Sequence, residues 1–416
     1  MRRLMMRDVK SVIVVGGGAS GMIAAISAAR QGAKVVILER LNRIGKKLLA
    51  TGNGRCNLTN TNMDISFFHG TDPKFALGAL HSFDYKQTID FFDFLGITPK
   101  VEGEGKVYPY SLQSSSVLDV LRYEIAALNI MEKCDTEVLD IVPTRPGFIV
   151  KTKSGQLKGD SVIIATGGKA SPQLGSNGSG YVLAEKLGHR LTEIYPSLVQ
   201  LKLYEKYVKQ MKGVKFEGKV SVGVKDKALR VECGEILFTD YGISGPPILQ
   251  VSRTAIEQIS KGKSPWVEVD VFPQYSKKEL QELISTRLAY SGTKPLDFSF
   301  VGLINKNMIP VVLQCANIKD IKVLAYEVTE QQIQKIVEVL KNWRMSVKDF
   351  NSWDQAQTTA GGVDVRDVSP KTMESKIVKG LYFSGELLDI DGDCGGFNLQ
   401  WAWSSGFIAG ENAAKE

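Results

Sequence analysis

The sequence predicts an α/β fold built on a parallel sheet and divided by a long insert of different character. Three short apolar runs, each followed by or ending at a glycine, predict the buried strands of the parallel sheet: residues 12–15, 159–168 and 381–385. Between the second and third runs, short alternating patterns and then helical patterns replace the apolar ones. A chain of 416 residues exceeds what one hydrophobic core usually serves, so two or three domains are expected.

The composition excludes several classes of protein. Lys and Arg number 52 and Asp and Glu 45, a net charge of +7 without any block of like charge, so no nucleic-acid partner is expected. The five cysteines are scattered and form no C-x-x-C pair, which favours a reducing cytoplasm. The basic start, MRRLMMRDVK, precedes only a short apolar run, so we interpret it as a tail. No run approaches the roughly 18 apolar residues that span a membrane.

The first of these runs opens a predicted β-α-β unit. Val12–Val15 is a β-branched strand, Met22–Arg30 is rich in helix formers, and Lys34–Leu38 is a second buried strand. Glu39 ends the second strand, where a carboxylate can accept hydrogen bonds from ribose hydroxyls.

Three glycines at G-x-G-x-x-G spacing separate the first strand from the helix. Gly16 permits a tight turn, Gly18 lets the backbone approach a pyrophosphate, and Gly21 lets the helix pack closely on the strand. Free amides and the dipole at the helix start then hold the anion. With strand, helix, strand and acid in register, the pattern predicts a dinucleotide site.

Two further segments favour FAD as that dinucleotide. Residues 43–60, RIGKKLLATGNGRCNLTN, are a predicted loop that can run along an extended cofactor, although a solvated loop is the alternative. Residues 159–168 end in A-T-G-G, and ligands lie at the carboxyl ends of strands in an open sheet. A β-meander before this strand brings Glu137 and Val138 into possible reach of the adenine.

The C-terminal segment predicts the other half of the site. A strand at Leu381–Ser384 leads to Gly385 and Glu386, then to an acidic turn, and then to a Gly-Gly pair that ends at Gly396. A helix is predicted from about Asn398, and its free amides suit the negative charge on the N1/O2 side of a reduced flavin. Small residues along this helix predict close packing against the first glycine-rich helix.

The segment between the two halves is predicted to be an insert that covers the substrate. The predicted loop Asp240–Leu249 is the part expected to face the flavin ring. The predicted domains are an FAD-binding domain at 1–191 and 359–416, a β-rich substrate domain at 192–275 and 344–358, and a helical insert at 276–343.

Four motifs give the chain a family resemblance. They are GKKLLATGNGRCNLTN, VIIATGGKASPQLGSNGSGYVLAEKLGH, FTDYGISGPPILQVSR, and TAGGVDV with the C-terminal GLYFSGELLDIDGDCGGFNLQWAWSSGFIAG. Over nearly the whole chain they resemble the bacterial NAD(P)/FAD-dependent oxidoreductases of the aminoacetone oxidase-like group, which includes the bile-acid 7-dehydroxylation flavoproteins. The resemblance implies a glutathione-reductase-type FAD-binding Rossmann domain interrupted by an inserted β-barrel plus a helical domain.

The resemblance also implies the FAD contacts. They are Ala19, Ser20, Glu39, Arg40, Lys47, Asn53, Cys56, Asn57, Val138, Ala165, Thr166, Glu386, Asn398, Leu399 and Gln400. Seven glycines complete the predicted cofactor-binding set: Gly16, Gly18, Gly21, Gly52, Gly167, Gly385 and Gly396. Phe397 stands where relatives often have Tyr, which removes a hydroxyl near the flavin.

The predicted activity is hydride transfer between FAD and a small organic substrate with a C=C or C=N bond. No second G-x-G-x-x-G follows the A-T-G-G strand, so NAD(P)H, the expected donor, would visit the substrate crevice and give ping-pong kinetics. One alternative is an amine or amino-acid oxidase that uses oxygen, with Arg55 or Arg253 gripping a carboxylate. Another is a tRNA-associated or purely structural flavoprotein.

The sequence assigns no metal site. His69, His81 and His189 are isolated along the chain, which leaves a metal centre unsupported. In the segment that starts with DIDGDC, Cys394 stands where the sharp-turn glycine of a calcium loop belongs and Gln400 stands where its glutamate belongs, so no calcium site is expected.

The sequence also leaves the catalytic residues unassigned. Cys56 and Cys394 are interpreted as packing residues, the first beside the flavin ring. Tyr108, Tyr110 and Tyr241 are candidate proton donors that sequence alone does not separate.

Overall fold

The computed structural model describes residues 9–415, and residues 1–8 of the predicted N-terminal tail lie outside them. The chain divides into two compact units. The first unit is Met1–Tyr195 with Gln357–Glu416, and the second is Pro196–Ala356.

The elements before residue 195 build most of the first unit. Its strands there are β1 (Ser11–Val15), β2 (Lys34–Leu38), β3 (Thr59–Asn60), β4 (Phe68–His69), β5 (Pro99–Val101), β6 (Lys106–Pro109), β7 (Met131–Lys133), β8 (Val138–Pro143), β9 (Phe148–Thr152), β10 (Gly155–Gly159) and β11 (Ser161–Ile164). Its helices there are α1 (Ala19–Arg30), α2 (Leu77–Ser82), α3 (Tyr85–Phe94), α4 (Ser114–Ala127) and α5 (Ser179–Lys186).

The remaining elements follow in chain order. The strands are β12 (Tyr195–Ser197), β13 (Leu201–Leu203), β14 (Lys215–Val224), β15 (Lys227–Phe238), β16 (Gly242–Ser244), β17 (Pro265–Asp270), β18 (Trp343–Phe350), β19 (Thr358–Ala360), β20 (Leu381–Phe383) and β21 (Asp391–Gly392). The helices are α6 (Pro246–Ser260), α7 (Lys277–Ala289), α8 (Leu296–Ser299), α9 (Ile309–Cys315), α10 (Glu330–Lys341) and α11 (Phe397–Ala413).

A five-stranded parallel sheet forms the centre of the first unit, in the order β20-β11-β1-β2-β7. The buried side chains of β1 and β11 explain why both read as continuous apolar runs. In register, Val15 pairs with Leu38 and with Ile164, and Ile164 pairs with Phe383. Four strands therefore end at one level, and the glycine-rich segments that follow three of them meet at one edge of the sheet.

Helices α1 and α11 pack closely in the same unit, as their small residues predict. A Cβ added to Gly406 would lie 2.4 Å from the carbonyl oxygen of Ser20, and one added to Gly410 would lie 2.1 Å from that of Ala24. Backbone atoms cannot yield at such distances, so glycine is required at both positions of α11 for this helix pair to form.

The predicted elements of the first unit are found with small shifts at their ends. The meander is confirmed as an antiparallel sheet in the order β10-β9-β8. Helix α1 begins at Ala19 and not at Met22, because Gly18 already serves as its N-cap. Helix α11 begins at Phe397, one residue before the predicted start, because Gly396 is its N-cap in a left-handed conformation.

The second unit contains a closed barrel in the order β13-β16-β15-β14-β17-β18. The predicted β-rich stretch 192–275 also contains the 15-residue helix α6, which the alternating patterns around it concealed. The predicted loop Asp240–Leu249 is wrong: it holds strand β16 and the first turn of α6. Gly245 makes the sharp turn between them at φ +108°, and the two prolines that follow start the helix.

Helices α7 to α10 occupy the stretch predicted to be helical. Capping boxes at Ser276 and Thr329 start α7 and α10. Within residues 9–415, no helix combines the length and the apolar character that crossing a membrane requires.

Candidate functional site

The three glycines of the G-x-G-x-x-G pattern have different surroundings. A Cβ at Gly16 would lie 2.6 Å from the carbonyl oxygen of Ala165, and one at Gly21 would lie 2.0 Å from that of Gly16. These two glycines are therefore required by the protein's own backbone. A Cβ at Gly18 would meet nothing within 4 Å. This open space lies where the G-x-G-x-x-G pattern predicts that a pyrophosphate binds.

The start of α1 is suited to hold an anion. The first-turn amides of Ala19, Ser20 and Gly21 have no intrahelical acceptor, since the first bond of the helix runs from Met22 N to Gly18 O. The N-cap is a glycine without a side chain, and no acidic residue lies in the first turn. The amides and the helix dipole are thus left for a ligand.

Glu39 is fixed at the end of β2. Its Oε2 accepts a hydrogen bond from Gly17 N at 2.8 Å, and its Oε1 accepts one from Leu41 N at 2.8 Å. Each carboxylate oxygen keeps a second lone pair for a ribose hydroxyl. A crevice beside it is lined by residues from all the predicted adenosine-binding segments: Gly16, Glu39, Arg40, Glu137, Val138 and Thr166.

An ion pair joins the loop after β2 to the segment after β20. Lys47 Nζ lies 2.9 Å from Glu386 Oε2, and both side chains are about one-fifth exposed. Glu386 Oε1 also accepts hydrogen bonds from the amide and the hydroxyl of Thr359, at 3.0 and 2.8 Å. The structure thereby brings together two predicted FAD contacts that are far apart in the chain.

The loop at residues 51–57 has an unusual backbone. Gly52, Asn53 and Cys56 adopt left-handed conformations, with φ between +55° and +59°. Burial raises the pKa of the Cys56 thiol to about 12, so this cysteine is a poor nucleophile and a packing residue. The thiol of Cys56 is therefore not a candidate for the chemistry of the site.

Asn57 tests whether the residues present fit a flavin cofactor. Its Oδ1 is buried and has no hydrogen-bond partner among residues 9–415. An unpaired buried oxygen costs roughly 1–3 kcal/mol, so a donor on a ligand is expected there. Flavin rings carry such a donor, and Gly18 provides the open space that a pyrophosphate needs. The residues present therefore fit FAD both at its pyrophosphate and at its flavin ring.

The start of α11 offers backbone amides and few side chains. The Asn398 side chain accepts from Gly392 N at 2.8 Å and donates to Gly392 O at 2.6 Å, so Asn398 and Leu399 can serve a ligand through their amides. The side chain of Gln400 is fully buried, and it bonds the Thr59 hydroxyl, the Phe83 carbonyl and the Ser404 hydroxyl.

A cationic group lies beside the same loop. The guanidinium of Arg55 stacks over the ring of Tyr108 with its carbon 4.3 Å from the ring centre, and it donates to Tyr108 OH at 3.3 Å and Glu102 Oε2 at 3.2 Å. Burial raises the pKa of Tyr108. Of the other candidate tyrosines, Tyr110 is 69% exposed and Tyr241 belongs to the second unit.

Two of the three histidines have polar side-chain partners that the sequence does not reveal. His69 Nε2 lies 2.7 Å from Asp393 Oδ1, and His189 Nε2 lies 2.8 Å from Ser375 Oγ. Strand β4 pairs with β21 and so brings together His69 and Asp393, which are 324 residues apart in the chain. Within residues 9–415, no three or more His, Cys, Asp or Glu are grouped to hold a metal.

A family model described as "HI0933-like protein Rossmann domain" matches residues 10–412. This chain belongs to the HI0933-like family. The match spans both halves of the parallel-sheet unit and the insert between them, as the four motifs predict.

Individual relatives of this HI0933-like protein are similar over nearly their whole length. It is 41% identical to a 3-dehydro-bile acid delta(4,6)-reductase of Clostridium scindens over 404 residues, 97% of this chain and 98% of the relative. It is 28% identical to a ribosomal RNA dihydrouridine synthase of Escherichia coli, with 96% and 97% covered. Its fold is similar to a 3-ketosteroid delta1-dehydrogenase from Sterolibacterium denitrificans, with TM-score 0.51, 13% identity, and 98% and 100% covered.

These findings and the site establish the class of this HI0933-like protein. It is an FAD-dependent oxidoreductase with a Rossmann-type FAD-binding domain.

Proposed function

We propose that this enzyme reduces a carbon–carbon double bond conjugated to a carbonyl group in a small steroid-like molecule, with NAD(P)H as the transient donor. The observation that carries the proposal is the 41% identity, over 97% of the chain, to a relative whose name describes reduction of delta(4,6) double bonds in a 3-dehydro-bile acid. The expected cytoplasmic location is supported by five cysteines without disulfides.

Bound FAD supplies the two-electron chemistry, accepting a hydride from a donor and giving it to an acceptor. The proposed holding groups are the amides at the start of α1 for the pyrophosphate, Glu39 for the ribose, and Asn57 with the amides at the start of α11 for the ring. Lys47 and Glu386 are proposed to lie along the part of FAD that joins the pyrophosphate to the flavin ring.

Arg55 is proposed to hold the substrate's carbonyl oxygen. Negative charge develops on this oxygen when a hydride adds to a conjugated double bond, and a fixed cation stabilises it. Glu102 and Tyr108 use part of the five-donor guanidinium, and the side chain keeps 39% exposure. The stack on Tyr108 keeps the guanidinium plane in one orientation.

The donor is proposed to enter the same crevice as the substrate. After the A-T-G-G segment the chain enters α5 without a second G-x-G-x-x-G unit for a nicotinamide. Donor and acceptor then bind in turn, which predicts ping-pong kinetics.

The test is a two-step anaerobic titration. NADH or NADPH is added to the yellow protein while the visible flavin band is followed, and then a 3-oxo-delta(4) steroid is added. We expect bleaching by the donor and recovery of colour by the conjugated steroid, but not by a control steroid with an isolated delta(5) bond and a 3-hydroxyl. Failure of the conjugated steroid to restore the colour would overturn the proposed acceptor, and absence of bleaching by NADH and NADPH would overturn the proposed donor.

A second candidate is reduction of a uridine base in RNA. Relatives at 28% and 29% identity are named ribosomal RNA dihydrouridine synthases, and dihydrouridine is uridine with its conjugated C5–C6 bond saturated. Recovery of colour with unmodified ribosomal RNA and not with the steroid would favour this candidate. Reduction by an amine in place of NAD(P)H would favour the oxidase alternative.

A further inference from the structure

His69 and Asp393 form a dyad beside the start of α11. His69 Nε2 lies 2.7 Å from Asp393 Oδ1, and the Asp393 side chain is 8% exposed whereas that of His69 is 24% exposed. The Nδ1 atom of His69 has no hydrogen-bond partner within residues 9–415. One ring nitrogen is thus held by a nearly buried carboxylate while the other is left for a further partner.

The backbone around the dyad is fixed from several sides. Asp393 N donates to Phe67 O at 2.9 Å, and the side chain of Asn398 donates to Asp393 O at 3.2 Å. The ring of Phe67 stacks on Phe397, the first residue of α11, with centres 4.4 Å apart. The dyad is therefore anchored to the same helix turn whose amides are proposed to hold the flavin ring.

We propose that His69 is the acid that protonates the substrate, with Asp393 as its positioning residue. This inference rests on the proposed function and adds the source of the proton. The Asp393 carboxylate on Nε2 holds the ring in one orientation, so the proton that the imidazolium gives to the substrate is the one on Nδ1. Phe397 and Phe67, which pack beside the dyad, offer no hydroxyl for this task.

The reaction balances with this assignment. The β-carbon of the conjugated bond receives a hydride that originates from NAD(P)H. The electron pair of the double bond then forms the new C–H bond at the α-carbon with the proton from His69 Nδ1, and the neutral imidazole regains a proton from water. One double bond is reduced for each NAD(P)H oxidised, and one proton is taken up.

Three aspartates of the facing segment lie beside His69 or the residue that follows it. Asp391 is opposite His69 in the β21–β4 register, Asp393 bonds the ring, and Asp389 lies beside the neighbouring Gly70. A general acid acts only while it carries its proton, so the rate of substrate reduction by the wild type should fall at alkaline pH.

The experiment separates the two half-reactions in His69→Ala. We expect unchanged FAD affinity and unchanged bleaching by NAD(P)H, but recovery of colour by the conjugated steroid slowed by about 100-fold or more. The alkaline fall in rate should disappear, and added imidazole should restore part of the rate. His81→Ala removes an exposed histidine elsewhere in the same unit and should match the wild type.

The outcomes are distinguishable. Recovery at the wild-type rate in His69→Ala would overturn the inference while the proposed function stands. Equal loss of FAD binding and of both half-reactions, without imidazole rescue, would also overturn it, because His69 would then be structural. A hundredfold loss in Tyr108→Phe with none in His69→Ala would assign the proton to Tyr108. Wild-type protein that no conjugated acceptor reoxidises would overturn both proposals.

Discussion

The two glycine-capped helix starts, at Gly18 and Gly396, look alike in sequence but need glycine for different reasons. Gly18 has φ −79° and ψ −171°, a conformation open to any residue, and a Cβ there would meet no protein atom within 4 Å. Gly396 has φ +102°, and its Cβ would lie 2.5 Å from the Thr59 carbonyl oxygen. The first glycine serves a ligand, whereas the second serves the chain's own fold.

The largest expected effect is a loss of FAD affinity, without a loss of stability, when Gly18 at the start of α1 is replaced. Gly18→Val should weaken FAD binding by about 1000-fold, or about 4 kcal/mol, because the side chain fills the pyrophosphate space while the backbone stays unstrained. The measurement is the Kd of FAD by fluorescence titration of the apoprotein, alongside the apoprotein's Tm.

Gly103→Val is the matched control for this change. Gly103 also has open space around it and no positive φ, but it lies outside the predicted cofactor set. It should leave the Kd unchanged. A yellow Gly18→Val protein with normal affinity would remove the proposed pyrophosphate position.

The second effect tests the other helix start. Gly396→Ala should destabilise the protein by about 3 kcal/mol even with saturating FAD, since the left-handed conformation and the Thr59 carbonyl both oppose a Cβ. Gly32→Ala separates the two causes, because Gly32 has φ +92° and open space. It should cost only about 1 kcal/mol. Equal falls in Tm for the two variants would show that the Thr59 contact contributes nothing.

A smaller effect on FAD affinity is expected from the ion pair of Lys47 and Glu386, which joins the loop after β2 to the segment after β20. Lys47→Met leaves Glu386 without its cation and should raise the Kd of FAD by about 10-fold. Lys46→Met removes the neighbouring lysine, which belongs to no ion pair within residues 9–415, and should change the Kd little. Titration of both apoproteins with FAD decides the matter, and equal Kd values would exclude Lys47 from the cofactor site.

The smallest effect concerns the stability of the fold and the buried carboxyl of Asp389, which precedes α11 in the chain. Burial raises the pKa of Asp389, so the folded state binds this proton more tightly than the unfolded state. Stability is therefore lost as pH rises above the ordinary pKa of aspartate. Asp389→Asn should raise the Tm at pH 7, by less than about 1 kcal/mol in stability, and change it little near pH 3.

Asp64 gives the opposite sign and serves as the control. Hydrogen bonds from Ser66 lower the pKa of this exposed carboxyl, so its contribution to stability is present at neutral pH and lost in acid. Asp64→Asn should lower the Tm at pH 7 and not at low pH. Parallel pH profiles for the two variants would contradict this account.

The comparison also explains which features the sequence could predict. The fingerprint, the strand after it and Glu39 lie within residues 12–40, so their spacing carries the information. The cap at Gly396 was predictable from its Gly-Gly pair. The dyad of His69 and Asp393 was not, because it depends on two-residue strands that pair across 324 positions. Nor does any local pattern indicate that Gln400 bonds Thr59 and Phe83.

The contact of α1 with α11 also joins the first and the last helix of the chain. Helix α1 leaves the ribosome early, but the glycines at 406 and 410 that receive its backbone are made only after the barrel and helices of the second unit. A nascent chain that stops in the second unit carries the fingerprint without the helix that packs on it. Helix α11 is therefore the last element of the first unit to be made, and a chain that ends in the second unit lacks the amides proposed to hold the flavin ring.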